Sequence, residues 1–118
     1  CGSITPEAPL RWTEAEIGGL NAERLVSHSL IKYKSFDGLE IGAFVYKPLK
    51  RKASGHPVLI HPHGGPEEQH RLVFSPMIQF LVCELGICVI DPNVRGSNGY
   101  GRVFVNLDNC EKREDSVK

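Results

Sequence analysis

The sequence predicts an α/β protein: a mixed sheet with an antiparallel hairpin at one edge and a parallel strand–helix–strand unit beside it. Three observations predict this. An Asp37-Gly38 pair, a strong hairpin-turn signal, stands between two stretches of alternating apolar and polar residues. Two short apolar runs, "VLI" at 58–60 and "ICVI" at 87–90, have the style of strands covered on both faces. Between them, Met77, Ile78, Leu81, Val82 and Leu85 recur at helical spacing.

Each element follows in order. Residues 1–21 are rich in turn formers and lack a sustained apolar period, so they read as a connector and not as a core element. Within them, Thr13 and Glu16 have capping-box spacing, which predicts a short helical turn over 14–17, stopped by Gly18 and Gly19. In "SLIKYKSF", Ile31 and Tyr33, and less cleanly Phe36, mark the apolar face of a half-buried strand. Past the turn, "LEIGAFVYKP" places Leu39, Ile41, Ala43 and Val45 on one face and Phe44 and Tyr46 on the other. "LKRKASG" is a solvated basic loop. For the helix, Ser75 suits the N-cap, Pro76 the first turn and Gly86 the stop. Apolar strands on either side of a helix imply a right-handed crossover and a parallel pair. The chain then runs through a glycine-rich loop, 93–101, a short helix or turn at "RVFVNL", and "KREDSVK", which has the charge of a helix start.

Composition narrows the function classes. At 118 residues the chain fits one modest domain or part of a larger one. Fourteen basic residues balance fourteen acidic ones without a long block of either sign, which removes compositional support for nucleic-acid or membrane-surface binding. No apolar run is long enough to span a bilayer. No signal peptide is visible, which favours the cytoplasm, and a first residue of Cys1 reads as a fragment boundary. Cys1, Cys83, Cys88 and Cys110 lack any paired or zinc-ligand spacing and are expected to be reduced and structural.

Two loops can carry chemistry. "HPHGGP", 61–66, leaves a strand and leads toward a helix, and ligands in open α/β sheets bind beyond such strand ends. Gly64 and Gly65 let backbone N–H groups approach a ligand, while Pro62 and Pro66 restrict their predecessors. Amide donors held in place before charge develops are what an oxyanion hole needs. A tight turn without a ligand has the same composition, and composition alone does not choose. His61 and His63 form an H-x-H pair, but Gly64, Gly65 and Pro66 occupy the space where a further ligand would be sought, so no metal is assigned. One histidine is expected to pack on the sheet and the other to bond loop backbone.

The second loop, "NVRGSNGYG", orders its glycines G-x-x-G-x-G, the reverse of the dinucleotide fingerprint, and no phosphate-cradling P-loop occurs. The two loops are expected to be neighbours. Arg95 either orients a substrate carbonyl or carboxylate or, the preferred reading, pins its loop through backbone carbonyls.

Taken together, "HGGP" after a strand, a helix, and a strand ending "DPNVRGSNGYG" resemble the prolyl oligopeptidase family of serine peptidases, especially its acylaminoacyl-peptidase and dipeptidyl-peptidase-like branch. "RWTEAEIGGLN" is similar to the passage leaving that family's β-propeller, "YKSFDGLEIGAFVYKP" to its first catalytic-domain hairpin, and "KREDSVK" to the run before its nucleophile strand. The resemblance implies a partial α/β-hydrolase fold, with residues 1–26 as a propeller-exit linker and 27–118 as the N-terminal half of a catalytic domain. It implies hydrolysis of peptides or N-acyl-peptides through an acyl-enzyme, without a cofactor. Gly65 would donate its N–H to the oxyanion, Gly64 would shape the loop, and Arg95 and Tyr100 would support the substrate pocket. The expected partner is a peptide or acyl-peptide substrate, with a homo-oligomer through the sheet edge as a further expectation.

The family's triad is not in the chain. The nucleophile should stand in G-x-S-x-G, yet none of Ser3, Ser27, Ser29, Ser35, Ser54, Ser75, Ser97 and Ser116 has glycine at both flanking second positions. The catalytic serine, aspartate and histidine are therefore expected downstream, and the chain alone is expected to be inactive. The alternatives are a piece of a carboxylesterase-type hydrolase and a non-catalytic interaction piece.

Overall fold

The computed structural model describes residues 10, 12–13, 16–50, 52–65 and 67–118, and among these it contains one four-stranded mixed sheet. β1 (His28–Lys34) and β2 (Glu40–Tyr46) form the antiparallel hairpin, paired from His28 with Tyr46 to Lys34 with Glu40. At its tip the Gly38 N–H donates to the Ser35 carbonyl (3.0 Å), and the Leu39 N–H to the Asp37 carboxylate (3.1 Å). The predicted turn is thus closed both by backbone and by its own aspartate. β3 (Val58–Ile60), α1 (Pro76–Cys83) and β4 (Cys88–Pro92) supply the strand–helix–strand unit, and β3 pairs parallel with β4. β2 pairs antiparallel with β4, giving the order β1-β2-β4-β3. The result is the mixed α/β arrangement expected.

α1 begins as its residues dictate. The Ser75 hydroxyl accepts from the Ile78 N–H (3.4 Å), and Pro76 opens the first turn, where its lack of an N–H costs nothing. The helix ends at Cys83, short of the expected stop at Gly86. There the Leu85 N–H returns to the Phe80 carbonyl (3.3 Å) and the Ile87 N–H to the Leu81 carbonyl (3.0 Å). These long-span bonds satisfy the last carbonyls and turn the chain into β4. Past β4 come α2 (Arg102–Val105) and 3-10 turns at Asn106–Asp108 and Cys110–Val117.

The core lies between α1 and one face of the sheet, where Val26, Tyr46, Ile78, Val82 and Val89 pack with Phe44 and Leu81. Tyr46 and Val89 are register partners, so two strands deliver adjacent side chains to the same face. On the other face of β2, Ile41, Ala43 and Val45 are buried, as the alternation requires. Val26, the last residue of the expected linker, belongs to the core. Gln79 holds it there: its Oε1 accepts from the Val26 N–H and its Nε2 donates to the Val26 carbonyl, both at 2.9 Å. Each polar group buried at this contact thereby finds a partner.

Three expectations are corrected or fall elsewhere. β1 forms but is exposed along its whole length, where a half-buried strand was expected, because it is an outer strand with only β2 beside it. β3, expected to be covered on both faces, is likewise exposed at all three residues, with Ile60 65% accessible. The apolar run is a strand, but no layer among the described residues covers it. The helical turn expected over 14–17 lies partly outside the described residues. Cys83, Cys88 and Cys110 are free thiols. Among the described residues no helix is long and apolar enough to cross a membrane.

Candidate active site

The loops that follow β3 and β4 leave the same end of the sheet, because the two strands run parallel, and they close on each other. The His70 N–H donates to the Asn93 side-chain oxygen (2.7 Å), and the Asn98 N–H to the Glu68 carbonyl (3.0 Å). Asn93 is almost wholly buried, so the contact is a fixed joint between the loops. His63 and Ser97 make a second one, with Nε2 and Oγ 2.6 Å apart. The Ser97 hydroxyl also lies 2.6 Å from the Val94 carbonyl, which can only accept. Ser97 therefore donates to Val94. With its proton committed and its side chain fully buried, Ser97 is not presented as a nucleophile.

Gly64 and Gly65 lie exposed on the first loop, and Gly65 lines a cleft of about 580 Å³ with Ile60, Pro62, Pro92, Val94 and Arg95. Gly65 has φ +68°, a region that side chains disfavour, and a Cβ there would sit 3.4 Å from Glu68 Cγ. Pro66, expected to stiffen this turn, lies outside the described residues.

Arg95 reaches away from the loop backbone. Its guanidinium donates to both carboxylate oxygens of Asp37, with Nη1 to Oδ2 at 2.8 Å, and stacks 4.6 Å from the Phe36 ring. The expected tie through backbone carbonyls is thus replaced by a two-pronged ion pair to the tip of the β1–β2 hairpin. The pair holds the Asp37 carboxyl down to about 2, chiefly through the Arg95 hydrogen bond, and raises the Arg95 guanidinium. Tyr100 is also a support: its hydroxyl accepts from Asn93 Nδ2 (2.8 Å), its ring packs on Phe104, and its edge lies over Gly42.

Of the H-x-H pair, His63 makes the loop-backbone contact expected of one histidine, its Nδ1 3.2 Å from the Gly64 carbonyl, while His61 is tied to the sheet. His61 Nδ1 lies 3.1 Å from Asp91 Oδ1, and His70 Nδ1 lies 3.7 Å from Asp91 Oδ2. His70 Nε2 donates to the His61 carbonyl (2.8 Å). Burial lowers the His70 imidazole below its ordinary range, against the opposing pull of Asp91. No sequence signal singles out His70 or Asp91; the first arrives by the loop folding back and the second from the neighbouring strand.

These shifts fix a pH response. Asp37 is ionised more readily when folded, so its contribution is complete above its ordinary 3.8 and is lost as pH falls through about 2. His70 is held neutral, so its contribution is complete above the ordinary imidazole range and declines as pH falls below it. Both act in one direction: thermal melting followed from neutral pH downward is expected to show falling stability. Asp37→Asn should abolish the step nearest pH 2–4; an unchanged step would remove the ion pair from the account.

No family model matches the chain. It is 29% identical over 104 residues to the uncharacterized peptidase YuxL of Bacillus subtilis, a match that spans 83% of this chain and 16% of that protein. Prolyl oligopeptidase A of Amanita bisporigera is 27% identical over 107 residues, 87% of this chain and 14% of that one. Among solved structures, the acylaminoacyl peptidase of Pyrococcus horikoshii superposes with a TM-score of 0.60 at 31% identity, over 68% of this chain and 13% of that protein. The chain therefore spans about one-sixth or less of the length of these relatives.

Proposed function

Over the part of its relatives that it spans, this chain belongs to the prolyl oligopeptidase family of peptidases, and from that premise we propose that it carries the oxyanion-hole loop of a hydrolase acting on peptides or N-acyl-peptides. The observation that supports the reading is the junction of the two loops: the His63–Ser97 and His70–Asn93 contacts fasten the loop on which Gly65 lines the cleft beyond β3. The Gly65 N–H would donate to the oxygen of the tetrahedral intermediate, with Arg95 and Tyr100 bracing the loops around it. The reaction is the attack of a serine hydroxyl, activated by histidine and aspartate, to give an acyl-enzyme that water then hydrolyses. Those three residues belong to sequence beyond the present 118 residues.

In the same reading, residues 1–26 are the linker from a preceding domain, and 27–118 are the first half of the catalytic one. The uncovered β3 edge, with Val58 58% and Ile60 65% accessible, is where the next parallel strand would pair. The chain alone is consequently marginally stable and hydrolytically inactive. A fluorophosphonate probe, which labels activated serines, is expected to leave the purified chain unlabelled. The full-length protein should be labelled and should release the product of an N-acyl-peptide substrate. Labelling of the chain itself would overturn the reading, and cleavage of simple esters without peptides by the full-length protein would move it to the esterases.

A further inference from the structure

We propose that His61, His70 and Asp91 form a site for one zinc-type divalent cation, which fastens both ends of the loop that carries Gly64 and Gly65.

The donor set has the right chemistry and spacing. Two imidazoles and a carboxylate suit a borderline cation such as zinc(II), and the three ligand atoms lie within 4.8 Å of one another. The Asp91 carboxylate faces both imidazoles, one oxygen to each, with Oδ1 3.1 Å from His61 Nδ1 and Oδ2 3.7 Å from His70 Nδ1.

The hydrogen bonding supplies an independent reason. His70 Nε2 lies 2.8 Å from the His61 carbonyl and must donate to it, so a neutral His70 carries a lone pair on Nδ1. That lone pair faces Asp91 Oδ2, itself an acceptor. A cation between two such acceptors would turn their mutual repulsion into attraction. A second bond that fixes a histidine's tautomer and ring orientation is also how metal ligands are held from behind. Asp91 is 2% exposed, and among the described residues its charge partners are these two imidazoles alone. A buried carboxylate with no lysine or arginine beside it calls for a counter-charge. The His61 side chain is 41% accessible, which leaves a side open for entry and for a water as the fourth ligand.

The consequence is mechanical. His61 starts the loop at the end of β3 and His70 stands where it returns, while Asp91 belongs to β4. One cation on all three closes 61–70 into a ring anchored to the sheet. This is a cross-link of the kind that limits the conformations open to the loop. The inference does not depend on the hydrolase reading, since it needs only these three residues.

Calorimetric titration of the chelator-treated full-length protein with zinc chloride tests it. One equivalent is expected to bind, and cobalt(II) in its place should develop visible absorption of a low-coordinate site. His61→Ala and His70→Ala should each weaken zinc binding by at least the roughly 10–100-fold that loss of even an outer partner costs. His56→Ala, which removes an imidazole elsewhere, should keep the equivalent. Should His70→Ala fail to fold, His61→Ala carries the same test, because its ring is part exposed. Failure to bind zinc, retention of binding in His61→Ala, or an equal loss in His56→Ala would each overturn the site. The serine-probe experiment above is blind to all three outcomes, so the two proposals fail separately.

Discussion

Gly65→Ala in the full-length protein is expected, on the function proposed above, to lower kcat by about 100-fold with little change in KM, because the substitution would displace the proposed oxyanion donor without removing it. The backbone N–H survives in alanine, so any loss must come through geometry. At φ +68° a side chain costs roughly 1–3 kcal/mol, while the added Cβ would meet Glu68 Cγ at an ordinary contact distance of 3.4 Å. The loop can relieve the backbone strain by rotating the peptide, and that rotation would swing the N–H away from the developing charge. An interaction made mainly in the transition state appears in kcat and not in KM. Gly64→Ala is the internal comparison. Its Cβ would meet nothing within 4 Å, and its φ lies outside the positive region, so the loss should be clearly smaller. Steady-state kinetics on an N-acyl-peptide substrate would separate the two. Equal effects of the two substitutions would deny Gly65 its special role.

Gly96→Ala is expected to destabilise the chain by about 3 kcal/mol or more, enough to unfold a domain of marginal stability. Gly96 has φ +87°, and a Cβ built there would overlap the Asp108 carboxylate. Asp108 is 6% exposed and held in the 3-10 turn that follows α2, so it cannot simply swing into water. The Gly96 N–H also donates to the Phe104 carbonyl (3.1 Å), which ties the glycine loop to α2 at the same point. Urea unfolding followed by circular dichroism would read the loss as a shift in midpoint. Adding Asp108→Ala to Gly96→Ala removes the overlap but not the backbone strain, so the double variant should recover part of the stability and not all of it. Full recovery would mean that the backbone conformation costs nothing; no recovery would mean that the carboxylate was never in the way.

The hairpin, the helix start and the parallel pair were legible in the sequence because each is written in neighbouring residues. Asp37-Gly38 closes its turn with groups no more than a few positions apart, and Ser75 caps a helix three residues ahead. The alternation of Ile41, Ala43 and Val45 needs only the pleat to become a buried face. Ordered together, these signals were enough to place the chain among its relatives.

Tertiary structure alone decided how far each element is covered and which distant groups meet. An apolar run such as 58–60 says that a strand is suited to burial, but whether a layer lies over it depends on what else packs there, and β3 is exposed. Arg95 and Asp37 are 58 residues apart, and they meet because the loop after β4 comes down on the hairpin tip. His61, His70 and Asp91 converge because β3 and β4 run side by side and the loop between β3 and α1 folds back across their ends. Periodicity and capping are properties of adjacent positions. Strand order and loop return set contacts between positions far apart, and no local pattern in the chain specifies them.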